Sequence, residues 1–156
     1  MEIHFSHKSD EWETPQELFD SIEEEFGAFD FDVSATKENT KCNFFFSKED
    51  DALVKKWGRK NWCNPPYSRV KEFVLKAKNE QERGNLTVLL VPARTDTRFF
   101  HDYIYNKSNV ETRFIKGRIK FVSPDGKLLR GSKMNGSNNA APFPSMLVIF
   151  NPLTKI

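Results

Sequence analysis

The chain is poor in the residues that build metal sites and disulfide frameworks. It has two cysteines, Cys42 and Cys63, and three histidines, His4, His7 and His101. Two cysteines in a chain of cytosolic character read as reduced core residues. The histidines lack metal-ligand spacing, so no metal is expected. No apolar run approaches the roughly 18 residues that a membrane span needs. The opening residues Met1-Glu2-Ile3-His4-Phe5 have no apolar signal core, so a cytoplasmic protein without membrane contact is expected. Repeats and clear linkers are missing too. That predicts a flexible arm at 1–10, one domain over 11–156 and no obligate protein partner.

Lysine and arginine are missing where acids crowd. Asp10 to Glu25 holds eight acids and no base, whereas Gly117 to Pro142 holds five bases against one acid, a local net charge of +4. The overall net charge of +2 is too small to imply nucleic acid. The asymmetry would let a polyanion approach the second region and avoid the first. Two ordinary solvated faces explain the same pattern.

What is present is mostly apolar periodicity, with fifteen phenylalanines among 156 residues. Thr14-Pro15-Gln16-Glu17 predicts a helix start, with Thr14 as N-cap, Pro15 at the first helical position and Glu17 closing a capping box. Leu18, Phe19, Ile22 and Phe26 then share one face, and Gly27 ends the helix. Phe29 to Val33 and Cys42 to Phe46 read as strands. The three phenylalanines Phe44, Phe45 and Phe46 are assigned to the core. Asp50 to Val54 begins a short helix, and Asn61 to Asn64 is a third strand. Val70, Phe73, Val74 and Ala77 mark a helix that stops at Gly84. The unbroken run Leu86 to Val91 is expected to be buried on both faces. Phe99 to Tyr105 predicts a helix and Val110 to Ile115 a strand. Gly117 to Phe121 and Ser145 to Phe150 are expected to pair antiparallel around a polar, basic insertion at about 122–142. The whole is a three-layer α/β fold with a C-terminal hairpin. Ligands of such sheets bind beyond the carboxyl ends of the strands, where Asp32, Asn64 and Pro92 fall.

Asn64-Pro65-Pro66-Tyr67, directly after a strand, resembles the catalytic tetrapeptide of S-adenosylmethionine-dependent enzymes that methylate exocyclic or amide nitrogens. An adenine amine is a poor nucleophile because its lone pair is delocalised into the ring. The Asn64 side-chain carbonyl and the Pro65 backbone carbonyl can accept its hydrogens and draw the nitrogen toward tetrahedral geometry. Pro65 and Pro66 fix φ and hold the acceptors rigidly, and Tyr67 can stack on the substrate ring. A Pro-Pro turn that merely ends a strand is the plainer explanation.

Across residues 12–151 the chain resembles the phage-type DNA N6-adenine methyltransferase family. The resemblance rests on Trp12-Glu13-Thr14-Pro15, Phe31-Asp32-Val33-Ser34-Ala35, Glu49-Asp50-Asp51-Ala52-Leu53, the tetrapeptide with Ser68, Val91-Pro92-Ala93-Arg94-Thr95-Asp96-Thr97, Gly117-Arg118-Ile119 and Ala141-Pro142-Phe143-Pro144-Ser145, in that order. It implies a reduced class I methyltransferase fold (Rossmann-like), S-adenosylmethionine as cofactor and double-stranded DNA as partner. It also implies that Thr14, Pro15, Asp32, Ser34, Asn64 and either Asp50 or Asp51 meet the cofactor. Thr14 as a plain cap and one aspartate as an N-cap stay open. Arg94, Asp96, Thr97 and Arg118 become candidates for DNA, together with Lys127, Arg130 and Lys133 of the insertion. One departure is clear: Asp32-Val33-Ser34-Ala35-Thr36 has no glycine where most class I enzymes have a glycine-rich loop. The family is similar in having small residues there. Cytosine N4 methylation, RNA or protein-glutamine methylation, and an inert DNA-binding or anti-restriction protein on the same fold are the rivals. The RNA and glutamine enzymes usually carry the missing glycines, and the intact tetrapeptide argues against inertness.

Overall fold

The computed structural model describes residues 12–122 and 140–153. Among these residues six strands form one sheet in the order β2-β1-β3-β4-β6-β5. They are β1 (Phe31–Asp32), β2 (Phe44–Phe45), β3 (Lys60–Cys63), β4 (Leu86–Pro92), β5 (Val110–Phe114) and β6 (Ser145–Phe150). The first four run parallel, and β6 runs antiparallel to both of its neighbours. The carboxyl ends of β1 to β4 therefore share one edge of the sheet.

Strand alternation divides the core between two faces. Leu89 and Val91 of β4 join Phe73, Val74 and Ala77 of helix α2 (Val70–Glu82) in one buried cluster. Val88 and Leu90 join Phe19 and Ile22 of helix α1 (Gln16–Phe26) in the other. The expected face of α2 is the buried one, and Gly84, at φ +92, follows the end of the helix. Gly27, at φ +85, ends α1 and donates its N–H to Glu23 O at 2.8 Å. The segment expected as a helix at 99–105 is a single π-helical turn, Phe100–Ile104.

Three expectations fail. Gly117–Phe121 does not pair with β6; β5 takes that place, with Val110 opposite Phe150 and Phe114 opposite Met146. Ile119 and Phe121 alternate like a strand but pack on the face of the sheet, against the cluster containing Trp62 and Leu147. Nor does Thr14 cap α1, which starts from Pro15 with no side-chain cap. The Phe44–Phe46 run is not core throughout. It includes an edge strand on which Phe44 is 66% exposed, while Phe46 stacks on Phe31 with ring centroids 4.9 Å apart. Among the described residues no helix is long and apolar enough to cross a membrane.

Candidate active site

Loops from the carboxyl ends of β1, β2 and β3 enclose a cavity of about 280 Å³, close to the lower end for small-molecule sites. The β1 loop supplies Val33, Ser34, Ala35, Thr36 and Asn39, and the segment after β2 supplies Phe46, Ser47, Lys48, Asp51 and Ala52. Asn64, Pro66, Ser68 and Arg69 come from the β3 side, Phe73 from α2 and Trp12 from the segment before α1. A second pocket of about 230 Å³ is lined by Tyr67, Ser68, Val70, Lys71, Pro92, Arg94 and Phe99. The tetrapeptide thus divides the two spaces, with Asn64 and Pro66 on one and Tyr67 on the other.

The divider is stiff for local reasons. Neither proline has an N–H to lose, and Pro66 holds φ −57 and ψ 139 while its carbonyl accepts the Arg69 N–H at 2.9 Å. Pro65 is buried. The Asn64 amide nitrogen donates to Trp12 O at 2.6 Å and to Thr14 Oγ1 at 3.0 Å. The polar atom left to Asn64 is its carbonyl oxygen, an acceptor. Tyr67 meets Phe143 edge-on at 4.9 Å and Phe121 at 6.5 Å, so residues from both sides of segment 123–139 flank its ring.

The acidic candidates separate. Asp32 is 3% exposed and is not among the residues that line the cavity. Its Oδ1 accepts the Ser34 N–H at 3.3 Å and its Oδ2 the Lys41 N–H at 3.0 Å. Burial pushes its carboxyl up to about 7, against the pull of those two N–H groups and of the Lys41 charge. Asp50 accepts both the N–H and the hydroxyl of Ser47, at 2.8 and 3.0 Å, which holds its carboxyl below the usual range. Asp51 lines the cavity, and its backbone adopts the left-handed region at φ 52, ψ 74. That region is uncommon for a residue other than glycine, although aspartate tolerates it better than most.

Ser34 lies on the cavity wall, whereas neither Thr14 nor Pro15 does. Arg94 and Asp96 are exposed on the turn after β4, where Thr97 Oγ1 donates to Arg94 O at 2.8 Å. Arg118 donates to Ala141 O at 3.3 Å, tying together the two sides of segment 123–139. Lys127, Arg130 and Lys133 lie outside the described residues. Sequence reasoning did not single out Thr36, Asn39, Phe46, Ser47, Lys48 or Arg69 as site residues. Their signal was positional: each follows one of three adjacent parallel strands at the ligand edge of the sheet.

With this geometry in view, the similarities to other proteins become informative. Residues 4–156 match the family described as DNA N-6-adenine-methyltransferase (Dam). A DNA N-6-adenine-methyltransferase of Escherichia phage T1 is 37% identical over 103 residues, 65% of this chain and 43% of that protein. The DNA N-6-adenine-methyltransferase of Haemophilus phage HP1 (strain HP1c1) is 33% identical over 150 residues, 93% of this chain and 82% of that protein. The chain belongs to the DNA N-6-adenine-methyltransferase family. It spans less than half the length of the phage T1 relative.

Proposed function

We propose that this protein transfers a methyl group from S-adenosylmethionine to the exocyclic N6 of adenine in double-stranded DNA. The observation that carries the reading is the stiff Asn64-Pro65-Pro66-Tyr67 turn between two pockets at one sheet edge. Family membership supports the same reaction. The sheet order, with helices packed on both faces, supports a reduced Rossmann-like methyltransferase fold in one domain.

The larger cavity fits the cofactor by its chemistry. Ser34, Thr36, Asn39, Ser47 and Asp51 offer donors and acceptors for hydroxyl and amino groups, and Val33, Phe46, Ala52 and Phe73 offer apolar wall for a nucleoside base. S-adenosylmethionine, when bound, supplies an electrophilic methyl group on a sulfonium. Asp51 is our candidate for the ribose hydroxyls, and Asp50 is assigned to the turn. Asp32 acts by holding the loop that carries Ser34.

A stacked base cannot reach the second pocket, so the adenine flips out of the duplex. Tyr67 stacks on it there. Asn64 Oδ1 and the Pro65 carbonyl accept the two amine hydrogens, which directs the nitrogen lone pair toward the first cavity. The proton leaves after transfer and requires no dedicated base. Arg94 and Arg118 contact the DNA backbone, and Lys127, Arg130 and Lys133 add charge. Asp96 and Thr97 shape the turn that presents Arg94. The host cytoplasm, where the DNA is, is the site of action.

Labelled cofactor offered to unmodified plasmid DNA, to total RNA and to a protein extract tests the substrate class. Label in DNA alone is expected. Label in RNA or protein, or in none of the three, contradicts the assignment.

A further inference from the structure

A side-chain amide presents two heavy atoms of similar size and opposite hydrogen-bonding character, so its orientation has to be set by its neighbours. At Asn64 the neighbours leave no choice. The Trp12 backbone carbonyl, 2.6 Å away, can only accept, so the atom facing it must be the amide nitrogen. The reversed amide would oppose two carbonyl oxygens at that distance. The second amide hydrogen goes to Thr14 Oγ1 at 3.0 Å. Thr14 is 2% exposed, is absent from the cavity wall and does not cap α1. Its buried hydroxyl is therefore accounted for by Asn64 and not by the helix.

The clasp is itself anchored. Glu13 and Val122 form an isolated antiparallel bridge, Glu13 N–H to Val122 O at 2.6 Å and Val122 N–H to Glu13 O at 3.0 Å. On the other side, Pro15 O accepts the Phe19 N–H at 3.2 Å, tying the segment to the first turn of α1. Residues 12–14 are thereby held at Glu13 and by the helix that follows, and their two acceptors meet the Asn64 amide from a fixed frame.

We infer that Thr14 is a positioning residue for methyl transfer. Together with the Trp12 carbonyl it holds the Asn64 amide nitrogen, so that the carbonyl oxygen is the atom offered to the substrate amine. The inference rests on the methyltransferase reading and gives Thr14 a role through Asn64 in place of cofactor contact. Replacing Thr14 by valine keeps the shape and removes the acceptor; replacing it by serine keeps the acceptor.

The test measures methylation of unmodified plasmid DNA by the full chain, with cofactor affinity from calorimetry and melting temperature alongside. Thr14→Val is expected to lower kcat by about tenfold, with KM for DNA and cofactor affinity within about twofold of wild type. Thr14→Ser is expected to restore most of the turnover. Thr14→Ala, which also removes the acceptor, should behave as Thr14→Val does. Wild-type kcat in Thr14→Val or Thr14→Ala overturns the inference, as does an equal loss in Thr14→Ser with the protein folded. A loss seen in cofactor affinity in place of kcat overturns it too. Asn64→Ala separates the two levels. If that variant keeps wild-type turnover, the methyltransferase site itself is wrong. If it is inactive while Thr14→Val keeps wild-type kcat, only the role of Thr14 fails.

Discussion

The loops after β1 and β3 leave neighbouring strands at the same sheet edge, and they are stiffened by opposite means. The β3 loop is stiff covalently: Pro65 and Pro66 fix their own φ whatever surrounds them. The β1 loop has no glycine and no proline through residue 41. Its shape comes from hydrogen bonds instead. Asp32 gathers the Ser34 and Lys41 N–H groups, and Thr36 and Asn39 exchange side-chain bonds with each other's backbone at 2.7 and 3.2 Å. The difference has a chemical consequence. The proline turn is insensitive to pH, whereas the β1 loop depends on a buried carboxyl whose pKa is pushed up to about 7.

The largest effect that can break this comparison lies on the proline side. Asn64→Ala should slow methyl transfer by roughly 100-fold or more, the loss seen when one preorganised polar contact is removed from a reacting group. Cofactor affinity should stay within about twofold, measured by calorimetry on the same preparation. Parallel loss of both would mean that the two pockets are not separately built. Tyr67→Ala should also cripple turnover. Tyr67→Phe should keep most of it, because both base stacking and the edge contacts to Phe121 and Phe143 need the ring.

Asp32 gives the next effect. Asp32→Asn keeps the shape but replaces one accepting oxygen by a donor, opposite a backbone N–H. Cofactor affinity should fall by about tenfold, the worth of one hydrogen bond to a charged group. Stability should respond to pH in a defined direction. The folded carboxyl has its pKa raised from 3.8 to about 7, so the folded state holds the proton more tightly than the unfolded chain does. Wild-type stability therefore falls as pH rises between about 4 and about 7, and levels off above that. Thermal melts across this range should show the slope in wild type and its loss in Asp32→Asn. An identical slope in both would remove Asp32 as its source.

The smallest effect distinguishes two adjacent aspartates. Asp50→Ala removes the acceptor for the Ser47 N–H and hydroxyl and should lower the melting temperature slightly, with little change in cofactor affinity. Asp51→Asn, which keeps a residue that tolerates the left-handed backbone, should do the reverse, weakening the cofactor with little loss of stability. Calorimetry and melting on the pair separate them; unchanged cofactor affinity in both would mean that neither faces the cofactor.

These contrasts also explain what could be read from the sequence. Apolar spacing located α1, α2 and β4 because burial follows periodicity directly. The tetrapeptide was visible because prolines impose geometry without neighbours. The β1 loop was not, because its bonds join Asp32 to Lys41, nine residues away. Thr14 was misread as a cap because Thr-Pro-Gln-Glu satisfies the local pattern completely. Its actual partner, Asn64, lies 50 positions along the chain. Gly117–Phe121 alternated correctly, but alternation alone does not distinguish a strand in the sheet from a strap across its face. Asp50 and Asp51 were inseparable until the Ser47 hydrogen bonds tied one to the turn and the cavity wall took in the other.

The central claim is that the Asn64 side chain directs the exocyclic amine of adenine toward the cofactor. Nucleoside-resolved mass spectrometry of unmodified DNA, after incubation with S-adenosylmethionine and either wild-type protein or Asn64→Ala, tests it most directly. The account predicts N6-methyladenine as the sole product of the wild type and its near absence with the variant. N4-methylcytosine from the wild type, or equal N6-methyladenine from both proteins, would contradict it.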